Sequence, residues 1–295
     1  MLIAPVKKAT FEAQSNNIFS PDFIASVSVF YMPIITLTSD YGLTDPYLPA
    51  LKGAVLGQLP EVTLVDITHQ IQPGNYFEVA FVLRNCYYEF PEKTVHLIAF
   101  EELVEPRRYL AAVLDGHFFV APDNGILSMV NPEKKFEGIV EINLRHENTS
   151  FPAKDLMTRA ACHLARGGSI DVLGRKISEI KESTYLRPRI TENPSAIIGA
   201  VVYIDNFGNL ITNISHKTFK EVGKERAFEV IIPRNKPIRK LARDYNGSGA
   251  GSILAHFNSQ GLLEISAQKA MSKEFNGANT LLGLGVRDVI KVEFE

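Results

Sequence analysis

The sequence predicts an α/β N-terminal domain, built on a mostly parallel sheet in Rossmann-like layers, followed by a smaller all-β, barrel-like C-terminal domain. Three observations carry this reading. Apolar, β-branched runs alternate with stretches of helical spacing from residue 33 to about residue 169, the pattern of strands joined by crossover helices. A segment of mixed charge with Pro188 and Pro194, residues 186–195, then interrupts the chain. Beyond it the apolar runs are short and regularly punctuated, as in a small barrel or sandwich. At 295 residues the chain can bury two cores. The expected divisions are an extension at 1–32, the α/β domain at 33–190 and the β domain at 196–295.

Residues 1–32 carry no strong pattern. Phe23–Met32 is apolar but broken by Ser26 and Ser28; it is too short to span a bilayer and lacks the flanks of a signal peptide. Met32 stands directly before the first convincing strand and is an alternative start of the chain. Ile34–Thr38 is a buried strand, closed by the turn Ser39-Asp40-Tyr41-Gly42. Tyr47–Leu59 has helical spacing and is stopped by Pro60. Val62–Ile67 is the next strand. Tyr76–Phe90 is a helix with Val79, Phe81, Val82 and Cys86 on its apolar face, and Val95–Phe100 is a third strand. Asp115-Gly116 between Tyr109–Leu114 and His117–Ala121 marks a hairpin. A second turn, Pro122–Gly125, leads into Ile126–Val130. Asp155–Arg166 is a helix ended by Gly167-Gly168. The second domain offers strands at Ile197–Ile204, Asn209–Ile214, Phe228–Ile232, Ser252–Phe257, Leu262–Ile265 and Val289–Val292.

Composition removes several functions. The formal net charge is −2 and no basic stripe is present, which disfavours nucleic acid as a partner. No segment has the length of a membrane span. Cys86 and Cys162 lie far apart in apolar stretches, as buried thiols of a reducing compartment do, so a cytoplasmic protein without a zinc site is expected. Phosphate-loop, zinc-protease and serine-hydrolase motifs are absent.

Five polar constellations follow strand ends. Thr38-Ser39-Asp40-Tyr41-Gly42-Leu43-Thr44-Asp45 sets two carboxylates at the carboxyl end of the first strand, where open α/β sheets bind ligands and a carboxylate can take both ribose hydroxyls. Asp40 reads as a ligand contact, whereas Asp45 reads equally as a helix cap. Asp66 and His69 read as loop supports, although a histidine there could also act as acid or base. The run Glu101–Arg108 either holds a charged ligand or water or is a solvated ion cluster. Asp205-Asn206-Phe207-Gly208-Asn209 combines turn chemistry with donors and acceptors suited to an amine or a purine edge. Asn258–Gly261 reads as a hairpin turn.

In order and spacing these segments resemble the SAM hydroxide adenosyltransferase family, which includes fluorinating and chlorinating enzymes. The resemblance runs from about Ile34 to the C-terminus through T-S-D-Y-G-L-T-D-P-Y, D-I-T-H-Q-I-Q-P, A-P-D-N-G-I-L-S, I-D-N-F-G-N-L-I-T-N-I and L-E-I-S followed by G-A-N-T-L-L-G-L-G. It implies a homotrimer with S-adenosylmethionine (SAM), or an adenosine-like molecule, between the N-terminal domain of one subunit and the C-terminal domain of the next. It implies no cofactor beyond SAM itself. Carried across, Asp40 would bind the ribose, Asp45, Asp205 and Ser259 the methionine end, and Asn209 the adenine, with Phe151 and Tyr245 stacking. Glu101 and Arg108 would orient the attacking water. Here the sequence departs from the family. The family's D-P-G-V-G becomes Glu101-Glu102-Leu103-Val104-Glu105, and its F-H-G-R-D becomes Phe151-Pro152-Ala153-Lys154-Asp155. Proline brings no proton donor or acceptor where the family has histidine. Hydrolysis of SAM to adenosine and methionine is therefore weighed against two alternatives. One is a non-catalytic SAM or adenosine binder. The other is a divergent enzyme using Glu102, Glu105 or His146 as base on another nucleoside. Use of a halide is disfavoured by the negative charge of Glu101, Glu102 and Glu105.

Overall fold

A computed structural model describes residues 32–100, 108–133, 135–144, 149–183, 187–193, 195–245, 251–268 and 276–295. Residues 33–295 form one compact unit. It contains two seven-stranded sheets.

The first sheet has the order β2 (Thr63–Thr68), β1 (Ile34–Ser39), β3 (Val95–Ala99), β5 (His117–Pro122), β4 (Tyr109–Leu114), β6 (Gly138–Ile142) and β7 (Gly174–Lys176). β2, β1, β3 and β5 pair in parallel, and the β4, β6 and β7 pairings are antiparallel. β3 is buried along its whole length, as expected of a strand covered on both faces. One face packs against α1 (Tyr47–Gln58) and α4 (Thr158–Ala165), in a core holding Leu37, Leu51, Val55 and Ala161. The other packs against α2 (Tyr76–Arg84) and α3 (Ile126–Val130), around Leu83, Ile98, Phe100 and Phe119. Truncating a wholly buried side chain here, such as Leu37, to alanine costs about 2–5 kcal/mol.

Local chemistry explains the boundaries. Asp115 and Gly116 both take positive φ, 50° and 73°, as a two-residue hairpin turn requires. Gly125 at φ 96° stands before α3, which makes the Ile126–Val130 segment helical. The helix expected over Tyr76–Phe90 stops at Arg84. The Asn85 side chain donates to the Phe81 carbonyl at 2.7 Å, and a separate 3-10 turn follows at Tyr87–Glu89. The helix expected from Asp155 begins earlier, with a π-helical turn at Ala153–Met157. The segment read as a linker carries a strand, β8 (Arg189–Glu192).

The second sheet is wholly antiparallel: β11 (Phe228–Ile231), β14 (Val289–Phe294), β9 (Ser195–Ile204), β10 (Leu210–Ser215), β13 (Leu262–Ala267) and β12 (Ile253–Phe257), with β8 on β9. β9 pairs with β14 through residues 196–200 and with β10 through Val201–Ile204, so one long strand serves both halves of the curled sheet. Two short helices, α5 (His216–Gly223) and α6 (Ala278–Leu282), add to it. Phe81 of α2 stacks on Tyr203 of β9 with ring centroids 4.5 Å apart, and Arg287 lies over Phe77 at 6.0 Å. These contacts join the two sheets.

Candidate functional site

β1 and β3 end side by side at Ser39 and Ala99. Asp40 follows β1 at this edge. It is partly buried, and burial pushes its carboxyl above the usual aspartate range, with only a backbone hydrogen bond acting the other way. Among the described residues no cation forms an ion pair with it. Asp45, at the far end of the same loop, is exposed. The residue before α1 is Pro46, and no side chain caps the helix, so Asp45 does not have the capping role its position allowed. Tyr41, Tyr47 and Phe151 close on one another beside this loop. Their ring centroids lie 6.0 Å (Tyr41–Tyr47), 5.5 Å (Tyr41–Phe151) and 5.8 Å (Tyr47–Phe151) apart. The structure therefore gathers Asp40, Asp45 and Phe151 around one loop. The two tyrosines were not anticipated, although both stand within eight residues of Asp40 in the sequence.

The loop is tied down from β2. Ser39 Oγ lies 2.7 Å from His69 Nδ1, the Gly42 amide donates to the His69 carbonyl at 2.8 Å, and Lys52 of α1 donates to Asp66 at 2.6 Å. Burial alone would raise the Asp66 pKa; the bond from Lys52 and the closeness of His69 leave it lowered instead. These contacts bear out the loop-support reading of His69 and Asp66.

Phe151 is fixed by its amide, which donates to Thr149 Oγ1 at 2.9 Å. Pro152 is buried, with φ −58° at the mouth of the π-helical turn. Proline suits a helix start, and π-helical turns concentrate at functional sites. The amides of Lys154 and Asp155 both return to the Phe151 carbonyl, at 3.1 and 3.0 Å. Pro152 therefore shapes the backbone here and brings no titratable group.

Arg108 stands just before β4, whose first residue pairs with the last of β5, and so lies along the same edge as Asp40. Its Nε donates to Asp123 Oδ2 at 2.7 Å, a second guanidinium nitrogen contacts the same oxygen, and that nitrogen also reaches the Glu179 carbonyl at 3.2 Å. The Lys181 amide holds the other Asp123 oxygen at 2.8 Å. Arg108 is 33 % exposed and Asp123 only 5 %, so the guanidinium is braced from behind and still reaches solvent. Glu101, its expected companion, lies outside the described residues, as do Glu102, Glu105 and His146.

On the second sheet Asp205 closes the β9–β10 turn. Its Oδ1 accepts from the Phe207 and Asn209 amides, both at 2.9 Å, and its Oδ2 accepts from Asn209 Nδ2 at 2.8 Å. Asn209 is buried, and Gly208 takes φ 79°, which the turn needs and glycine allows. Tyr245 is half exposed, but its hydroxyl donates to Glu264 Oε1 at 3.1 Å. Burial and the Glu264 charge push that hydroxyl to about 12. Glu264 is 2 % exposed, accepts from Asn258 Nδ2 at 3.1 Å, and is itself pushed up by burial. His256 stands opposite Glu264 in the β12–β13 register, its Nε2 3.7 Å from the carboxylate. This polar cluster has no local signature, because glutamate and histidine in short strands look like solvent-facing residues. Ser259 is exposed in the β12–β13 turn. The register Leu210↔Ile265 and Ser215↔Leu262 puts that turn at the opposite end of the β10–β13 pair from Asn209. Asp205 and Asn209 are thus brought together, Tyr245 is linked through Glu264 to Asn258 beside Ser259, and the first loop belongs to a different sheet.

A cleft of about 240 Å³ between α2 and the second sheet is lined by Phe77, Phe81, Arg84, Tyr88, Met129 and Gln260 among others; none of the expected site residues lines it. Among the described residues no three His, Cys, Asp or Glu side chains are grouped to hold a metal ion.

Comparison with known proteins bears on both sheets. Residues 35–174 match the model of the SAM hydroxide adenosyltransferase N-terminal domain, and residues 199–291 that of the corresponding C-terminal domain. An (R)-S-adenosyl-L-methionine hydrolase of Methanocaldococcus jannaschii is 27% identical over 278 residues, covering 88% of this chain and 96% of the relative. A fluorinase of Actinopolyspora mzabensis is 25% identical over 276 residues, 81% of this chain and 91% of the relative. The crystal structure of an uncharacterized conserved protein from Thermotoga maritima superposes with a TM-score of 0.76 at 27% identity, covering 88% of this chain and 99% of that one.

Proposed function

The chain belongs to the SAM hydroxide adenosyltransferase family, and from that membership we infer that it hydrolyses S-adenosyl-L-methionine to adenosine and L-methionine. Water or hydroxide attacks the 5′ carbon in line with the carbon–sulfur bond. That bond breaks, its electrons stay on sulfur, and methionine leaves as a neutral thioether; where water rather than hydroxide attacks, its extra proton is released to solvent. Because the sulfonium is a good leaving group, the protein's task is to hold the carbon in line and strip water from the nucleophile. No cofactor besides SAM enters the scheme.

The observation that carries this reading is Asp40: a partly buried carboxylate at the carboxyl edge of a parallel sheet, beside a cluster of three aromatic rings. In this scheme it accepts the two ribose hydroxyls. Phe151 and Tyr245 stack, Asn209 reads the adenine, and Asp45, Asp205 and Ser259 take the methionine end. Arg108, braced by Asp123, orients the attacking water with Glu101. The two loops stand on different sheets, which supports completing the site from neighbouring subunits of a homotrimer. Among the described residues no helix is long and apolar enough to cross a membrane and both cysteines are free, which supports a cytoplasmic setting.

Buried Pro152, standing where the family has histidine, favours a second reading in which SAM or adenosine is bound without turnover. One assay separates the two. The purified protein is incubated with SAM, adenosine is followed by chromatography, and the measurement is repeated with Arg108→Ala. Adenosine release that the substitution abolishes supports hydrolysis. Calorimetric binding of SAM with no product from the unsubstituted protein supports the binder. Absence of any binding of SAM or adenosine rejects both.

A further inference from the structure

The loop that carries Asp40 and Asp45 is seven residues long from Asp40 to Pro46 and contains Gly42 at φ 68°. A loop of this kind holds two carboxylates in register only if something outside it fixes its backbone. His69 touches it twice. Its ring nitrogen Nδ1 meets Ser39 Oγ at 2.7 Å, at the residue before Asp40, and its carbonyl takes the Gly42 amide at 2.8 Å, two residues after Asp40. Ser39 Oγ in turn accepts from the Tyr41 amide at 3.4 Å, so the hydroxyl spans Asp40 from one side to the other. Ser39 is fully buried and His69 is 4 % exposed, which leaves water little access to either group.

The far side of the histidine extends the tie. Nε2 lies 3.1 Å from Asp66 Oδ1. It makes no aligned hydrogen bond there, so this is a contact between polar groups rather than a second directed bond. The other Asp66 oxygen holds Lys52 at 2.6 Å, and Lys52 lies in the second turn of α1, the helix into which the loop runs. The loop is thus gripped at its entrance, near its middle and at the helix beyond its exit. All three grips come from one stretch, Asp66 to His69, at the end of β2. A bulge in the β1–β2 pairing between Leu37 and Thr38, after which Thr38 faces Thr68, sets the two strand ends for this contact.

We propose that His69, through Ser39 and the Gly42 amide, is the positioning residue that sets the Asp40–Asp45 loop for its ligand, with Asp66 and Lys52 extending the grip to α1. This rests on the SAM reading above for the identity of the ligand, but not for the clamp itself. His69 does not act on the substrate. It acts by keeping Asp40 where the ribose must find it, and positioning errors of an ångström are enough to cost much of a site's activity.

The test uses the whole protein and three substitutions. His69→Ala removes both the ring and its reach to Asp66. His69→Asn restores a polar group near the place of Nδ1, and Ser39→Ala deletes the hydroxyl alone. Hydrogen exchange of the amides from Asp40 to Asp45 is read beside SAM affinity by calorimetry. In Ser39→Ala and His69→Ala, exchange across the loop should quicken while the strands β1 and β3 keep their protection. SAM affinity should fall about tenfold, the size of one lost buried hydrogen bond, and KM should rise more than kcat falls. His69→Asn should recover most of both changes. Folded His69→Ala and Ser39→Ala proteins with unchanged loop exchange and unchanged SAM affinity overturn the proposal. So does exchange that quickens equally throughout the first sheet, which is the mark of a general structural role; Ser39→Ala secures this comparison should His69→Ala fail to fold. If the unsubstituted protein does not bind SAM, the functional reading fails, and the loop exchange still decides the clamp.

Discussion

Asp40 and Asp205 occupy corresponding places on the two sheets, each at a strand end in a glycine-containing loop, yet their surroundings differ. Asp205 is satisfied from within: three donors of its own turn fill its two oxygens. Asp40 makes no ion pair among the described residues and is pushed toward neutrality by burial. The contrast separates two uses of a carboxylate. Asp205 spends most of its hydrogen-bonding capacity on shape, and what it offers the methionine end is one remaining acceptor position on a carboxylate already fixed beside Asn209. Among the described residues Asp40 is left with capacity unused, which a native fold tolerates chiefly where a ligand will supply the missing partners.

Four experiments break or sharpen that contrast. Asp40→Ala should have the largest effect on binding. Loss of two hydrogen bonds to a charged acceptor, each about 1.5 kcal/mol, weakens SAM by roughly a hundredfold in calorimetry. The same substitution should leave the melting temperature unchanged or raise it, because a carboxyl whose pKa is raised by folding disfavours the folded state once ionised. A lowered melting temperature would show that Asp40 is a brace like Asp205 and remove the contrast.

Asp205→Ala should cost stability, which Asp40→Ala should not. Three donors lose their acceptor, and urea unfolding should show a loss of about 2 kcal/mol, with Asp205→Asn recovering part of it. Unaltered stability would mean that the turn is held by something other than this carboxylate.

Acid titration supplies the third test. The Asp40 pKa is raised, so Asp40 becomes neutral at a higher pH than an ordinary aspartate. SAM affinity should therefore decline as pH falls through that raised value, about tenfold per unit below it. Its effect on stability has the opposite sign: stability is lost as pH rises from the unfolded value through the folded one. Affinity measured from pH 7 downward should lose this limb in Asp40→Asn; a limb that persists belongs to another group.

The smallest change is expected from Tyr245→Phe, which removes one donor to Glu264 while Asn258 keeps its own. A stability loss near 1 kcal/mol with a modest loss of SAM affinity is expected by urea unfolding and calorimetry. A large loss of affinity would show that the Tyr245 hydroxyl, and not the ring alone, meets the ligand.

Much of the fold was legible because its signals are local. Alternating apolar runs gave β1, β2 and β3 and the helices between them, and Asp115-Gly116 gave the β4–β5 hairpin. The failures came where a side chain overrode the pattern. Asn85 ends α2 early through the Phe81 carbonyl, and a short polar strand, β8, carries too few apolar residues to stand out in a segment read as a linker. In the site, Asp40 was legible from its place after a strand. The Asp123 brace behind Arg108 was not, and neither was the Glu264–His256 cluster.

The sequence by itself determined the order of elements, the family and the positions at which polar groups interrupt apolar runs, because these depend on spacings of two to four residues along the chain. Only the tertiary structure decided which carboxylate is already occupied and which is not. The partners that settle it are brought together by strand register and helix packing across wide separations: Ser39 with His69, Lys52 with Asp66, Arg108 with Asp123. A hydrogen bond is a matter of distance and direction in space, and no local periodicity encodes either.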